Sequence, residues 1–136
     1  MDSKRVLYDL PSPRLVRTVH SDNDLSVFIH DDAVPMFRPF GPEQMGFATF
    51  DRRDDVPVNN SHASPSISDD LPRCPPAGIT FCTTDFVPGT QTPMHRTLIM
   101  NSCVAMSREI VLAFDSGEEK LIREGDITVQ QGVNHM

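Results

Sequence analysis

Pro88-Gly89-Thr90-Gln91-Thr92-Pro93-Met94-His95-Arg96-Thr97 and Arg123-Glu124-Gly125-Asp126-Ile127-Thr128-Val129-Gln130-Gln131-Gly132-Val133-Asn134-His135 are the two stretches on which the fold turns. Each sets turn residues beside a short β-prone run, and each brings one histidine. The residues between them are strongly β. The runs 98–106 and 109–114 are rich in apolar residues, Asp115-Ser116-Gly117-Glu118 is a hairpin turn with Gly117 at the positive-φ position, and 127–130 is a further strand. Helical periodicity is nearly absent.

Working outward, 79–83 alternates apolar and polar residues as a half-buried strand does. Nearer the N-terminus, 15–19 and 25–29 are candidate strands around the polar turn 21–24, and 45–50 is another. Residues 1–13, charged and ending in Pro11-Ser12-Pro13, read as an N-terminal arm. Residues 51–76 hold five prolines among Asn, Ser and Asp and read as a long solvated loop or lid. Many short strands with Gly and Pro turns predict an all-β sandwich or barrel, with one domain over 14–136.

Composition excludes several classes. The 136 residues suit one domain with a core, although only 38% are hydrophobic and Trp is absent. A net charge of −7, with Arg52-Arg53 flanked by Asp51, Asp54 and Asp55, argues against nucleic acid or an anionic membrane as partner. Cys74, Cys82 and Cys103 show no Cys-x-x-Cys spacing, which favours a reducing compartment. No signal-peptide run is present, and no segment approaches the roughly 20 apolar residues of a membrane span, so a cytoplasmic location is expected. Asn59-Asn60-Ser61 then reads as a polar loop. Phosphate loops, Ser-His-Asp spacing and dinucleotide fingerprints are missing.

His95 and His135 lie 40 residues apart, on or beside different strands. Alternation can send both into a barrel interior, where imidazole suits iron, manganese, zinc, nickel or copper. The competing reading of any isolated histidine is a surface or hydrogen-bonded structural role. His20, His30 and His62 are assigned to strand ends and loop, and Cys82 and Cys103 to strand positions as small core residues. Cys103 shares a strand face with Asn101. Glu109 and Arg96 are near the first block, yet neither stands out as a catalytic acid or base.

The two blocks resemble the two motifs of the cupin family. Gly89 and His95 hold the first motif's spacing, and Gly125-Asp126, Gly132 and His135 resemble a shortened second motif. Met-His-Arg-Thr at 94–97, with Gln-x-Gly and Asn-His at 130–135, is similar to small single-domain cupins of fungal polyketide clusters. Among these are the cupin-domain-containing oxidoreductases of salicylaldehyde-type pathways. Residues 14–20 and 55–59 share the likeness, which therefore runs from about Arg14 to the end.

The resemblance implies a double-stranded β-helix (jelly-roll) barrel and one divalent transition metal held by His95 and His135. It also implies a polyketide-derived small-molecule substrate and a homodimer. Thr97 replaces the usual second histidine, Asn101 falls at the acidic ligand position as a weak third donor, Ser102 replaces an aromatic, and Arg108 replaces the closing glycine. Relatives continue past the second-motif histidine with further strands, so the chain is expected to be a C-terminally truncated cupin whose open edge favours association. Two functions follow: a metal-dependent cupin oxidoreductase, with isomerase, dehydratase or decarboxylase chemistry open to the same Lewis acid, or a degenerate cupin that binds a small molecule or supports a partner enzyme without stable metal.

Overall fold

The computed structural model describes residues 10–67 and 70–136, all of them strand, turn or irregular, with no helix among them. Of the expected arm, residues 1–9 lie outside the described residues and 10–13 are irregular. Two compact units divide the chain, one ending at Pro88 and the other spanning Gly89–Met136. Both signature blocks lie in the second, apart from Pro88 itself. No helix among the described residues is long and apolar enough to cross a membrane.

The first unit holds β1 (Arg14–His20), β2 (Ser26–Ala33), β3 (Gly46–Arg53) and β4 (Ile79–Asp85). β1 and β2 form the expected antiparallel pair. Its turn closes through Ser21 N–H to Leu25 O at 2.7 Å, with Asp24 at φ 56°, a conformation that Asp tolerates better than most residues. β2 runs past the expected end to Ala33, which places His30 inside the strand, where Nδ1 meets Leu15 O at 2.8 Å. His30 is thus a hydrogen-bonded structural residue, while His20 and His62 are exposed as expected.

β3 pairs antiparallel with β4 and passes through a bulge: Thr49 faces Cys82, Asp51 faces Phe81, and Phe50 is the extra residue. The strand reaches Arg53, so the long loop begins later than composition implied. The cause is non-local, since Asp51, Arg52 and Arg53 are held by ladder partners nearly 30 residues away. The loop ends through a parallel bridge between Asp55 and Ala77 and a close approach at Gly78.

The second unit contains β5 (His95–Arg96), β6 (Met100–Val104), β7 (Glu109–Ala113), β8 (Glu119–Arg123), β9 (Ile127–Gln131) and β10 (Asn134–His135). β7 and β8 form the expected hairpin, with Gly117 at φ 88°. Arg108, at the position where the motif calls for glycine, has φ 58°. The backbone keeps the glycine-like turn with an L-residue in it, and Arg108 O accepts from Glu124 N–H at 2.9 Å.

Fully buried residues are few and small. Among the described residues they are Val34, Gly46, Ala48, Thr49, Pro75 and Ala113, and no large side chain is completely enclosed. Cys82 is half-buried, but Cys103 is exposed, which corrects its assignment to the core. None of the three cysteines is in a disulfide.

Two predictions follow from the first unit. A Cβ on Gly78 would lie 1.9 Å from the carbonyl oxygen of Arg53, and backbone cannot yield as a side-chain tip does. Gly78→Ala should therefore destabilise the chain by about 2 kcal/mol or more. An unchanged thermal midpoint would show that the loop does not close there. On the surface, Arg14 donates to both carboxylate oxygens of Asp31 at 2.6 and 2.8 Å. That hydrogen bond is the chief reason the Asp31 carboxyl titrates below its ordinary value; desolvation opposes it, and the Arg14 and His30 charges add smaller downward contributions. Any stability linked to Asp31 is therefore present above the ordinary carboxylate range and lost as pH falls through the depressed value, and exposure keeps it small. Arg14→Ala should move the Asp31 midpoint upward in an NMR titration.

Candidate functional site

Antiparallel pairing brings the two histidines together. β5 and β10 place His95 directly opposite His135 and Arg96 opposite Asn134. β6 and β9 continue the ladder, with Met100 opposite Gln131 and Val104 opposite Ile127. Between the two segments Thr97, Leu98 and Ile99 face only Gly132 and Val133, a one-residue offset. Gly132, at φ 60°, provides the turn needed there, and its carbonyl accepts from Arg96 Nε at 2.9 Å. β10 is held on its other side by a bridge between His135 and Phe114, and by Met136 and Ala113 exchanging two backbone bonds at 3.0 Å.

The imidazole rings lie with centroids 4.3 Å apart and planes at 56°. Each ring is oriented by a carbonyl just before its own strand: His95 Nδ1 meets Pro93 O at 2.8 Å, and His135 Nδ1 meets Val133 O at 3.0 Å. A neutral ring that donates from Nδ1 keeps its lone pair at Nε2. This is the arrangement in which a backbone carbonyl fixes the tautomer of a ligating histidine. Both rings have it.

Asn101 lies on β6 opposite Gln130 on β9. Its Nδ2 donates to Thr97 Oγ1 at 3.4 Å, and Oδ1 is the amide's acceptor. The two neutral residues that replace the motif's acid and second histidine are thus bonded to each other. Gln130 Oε1 is buried with no hydrogen-bond partner. An orphaned buried carbonyl is costly and calls for a partner such as an ion, water or ligand. Sequence reading missed Gln130, because only the ladder register shows it standing opposite Asn101.

The β6–β9 pair reverses the usual patterning. Its polar residues Asn101, Thr128 and Gln130 are half-buried, whereas Met100, Val104, Ile127 and Val129 on the opposite face are exposed, Ile127 to 72%. Polar groups turned to the sheltered side mark a place where local rules yield to a site. Cys103 shares that polar face, as its alternation with Asn101 requires, but stays exposed. Among the described residues no three His, Cys, Asp or Glu side chains cluster tightly enough to hold a metal. The donors present are two imidazoles with amide carbonyls nearby in the ladder, a set that fits a transition-metal ion in its nitrogen ligands and departs from the carboxylate type in the rest. Glu109 pairs with Arg123 at 3.9 Å on the β7–β8 hairpin, which gives it a surface role.

No family model matches the chain. Relatives aligned along most of this chain do. Phomopsin biosynthesis cluster protein C' of Diaporthe leptostromiformis is 31% identical over 134 residues, covering 94% of this chain and 71% of the relative. The cupin-domain-containing oxidoreductase virC of Hypocrea virens is 30% identical over 134 residues, covering 92% and 69%. A shorter match, 39% over 51 residues, links 38% of the chain to 25% of the cupin-domain-containing oxidoreductase fogC of Aspergillus ruber. With its all-β strands and paired signature blocks, the chain belongs to the cupin-domain family that includes these proteins of fungal biosynthetic clusters.

Proposed function

We propose that the chain is a cupin-type oxidoreductase of secondary metabolism that uses one divalent transition metal at His95 and His135. The observation that carries this reading is the facing pair of imidazoles, each with Nδ1 tied to a backbone carbonyl two residues upstream. Asn101 Oδ1 and Gln130 Oε1 are the oxygen donors that would complete the set. Iron, manganese, zinc, nickel and copper all suit imidazole with neutral oxygen. When bound, such an ion would polarise a substrate carbonyl or enolate, or support dioxygen chemistry.

The protein's own part is positional. The β5–β10 ladder sets the separation of the rings, the carbonyls of Pro93 and Val133 hold their tautomers, and Thr97 orients the Asn101 amide. The oxidoreductase assignment is supported by the names of the relatives. The polyketide class of substrate rests on the motif resemblance alone. Closure into a jelly-roll barrel, a homodimer and a cytoplasmic location belong to the same reading.

A second reading, a cupin that binds a small molecule without stable metal, is favoured by one observation. Thr97 and Asn101 satisfy each other where a histidine and an acid would have supplied ligands.

Metal content separates the two. Purified chain loaded with Mn²⁺, Fe²⁺ or Zn²⁺ and then desalted should retain about one ion. His95→Ala and His135→Ala should each weaken retention by roughly 100-fold, and Asn101→Asp should strengthen it by adding a charged ligand. Retention in neither the unaltered chain nor Asn101→Asp would leave the metal-free reading in place.

A further inference from the structure

The first unit has a cleft of about 240 Å³ that the histidine pair does not involve. It is lined by Leu15, Arg17 and Thr18 of β1, Asp51 and Arg53 of β3, and Phe81 of β4, among others. We infer that this cleft binds a small organic anion, of the class of a ring-sized carboxylate, with its charge on Arg53 and its apolar body against Phe81.

Charge comes first. Arg17 and Arg53 share a single counter-ion, Asp51, at 3.6 and 2.9 Å. The three side chains are 11%, 33% and 22% exposed for Arg17, Asp51 and Arg53, so the charged residues lining the cleft carry a net charge of +1, partly sheltered from bulk water, in a chain whose net charge is −7. Screening is weaker there than on an open surface.

The two arginines do different things. Arg17 is committed to the fold: its guanidinium donates to Phe50 O and to Pro65 O, the latter at 3.0 Å. Phe50 is the bulged residue of β3, whose backbone stands outside the regular ladder. Arg17 itself lies beside a bulge, since Ile29 is the extra residue opposite the Arg17–Thr18 step. Arg53 uses Nε on Asp51, and its Nη nitrogens make no further hydrogen bond among the described residues. Those are the donors a carboxylate would use, side by side in the guanidinium fork.

The bulge aims these groups. After Phe50 the alternation restarts, so that Asp51 stands opposite Phe81 and Arg53 opposite Ile79, on one face of the β3–β4 pair. Phe81 is 64% exposed and meets Phe50 with ring centroids 5.3 Å apart. An exposed phenylalanine beside a partly satisfied arginine offers a flat apolar wall and a charged fork together. Close packing of Gly78 against the Arg53 carbonyl holds the end of β3 in place, so the fork is positioned in advance. The volume is below that of drug-sized sites, which fits a single ring bearing an acid.

The test uses the full chain, ¹⁵N-labelled, titrated with sodium benzoate and followed by amide shifts. Saturable shifts are expected at Thr18, Asp51, Ser64 and Phe81. Benzyl alcohol, of similar shape without the charge, should bind at least about tenfold more weakly. Arg53→Ala should weaken benzoate by a similar factor, Arg53→Lys by less, and Phe81→Ala should weaken benzoate and benzyl alcohol alike. Equal binding of the acid and the alcohol would overturn the inference on the unaltered chain, whatever the variants do to folding. So would shifts centred on His95 and His135, undiminished binding by a folded Arg53→Ala, or no saturable binding of benzoate.

Discussion

The second unit depends on one antiparallel register. With His95 opposite His135, every other relation of the candidate site follows. The imidazoles touch, the strand segments on either side of the 97–99 offset stay hydrogen-bonded, and Asn101 comes to stand across from Gln130. A slip of one residue would put the two histidines on opposite faces, because side chains alternate along a strand. The register is held from both sides of β10: β5 lies along one edge, and Ala113 and Phe114 at the end of β7 lie along the other.

Within that frame, the departures from the family pattern are not independent. Thr97 and Asn101 are four residues apart across the irregular segment, and they hydrogen-bond to each other. Two positions that elsewhere would bring a basic ring and a negative charge here form a neutral pair. Arg108 shows a different kind of substitution. The backbone keeps the left-handed turn that favours glycine and tolerates a side chain there, so the connection into β7 survives the loss of the glycine.

The first unit also relies on a polar group in place of a large core. Few residues are fully enclosed, and all of them are small. Arg17 links the β1–β2 pair to the bulged strand and the long loop through carbonyls of Phe50 and Pro65. A bulge removes a residue from the ladder, and its carbonyl still needs a donor. One side chain thus meets a backbone need and leaves its neighbour Arg53 available in the cleft.

The chain's residues by themselves determined the β class, the hairpins at 21–24 and 115–118, the two signature blocks and the histidines within them. These are local properties: alternation, turn chemistry and spacing can be read within a few residues. The continuation of β3 to Arg53, the placing of His30 within β2, the exposure of Cys103 and the short strands β5 and β10 were not legible, because each depends on a distant partner strand. Gln130 shows the difference most clearly. Nothing in its neighbourhood sets it apart, yet the ladder puts it opposite Asn101 with a buried, unpartnered oxygen. Sequence named the histidines as candidates. Only the tertiary register decided that they face each other, since pairing across 40 residues is a long-range choice that no local pattern encodes.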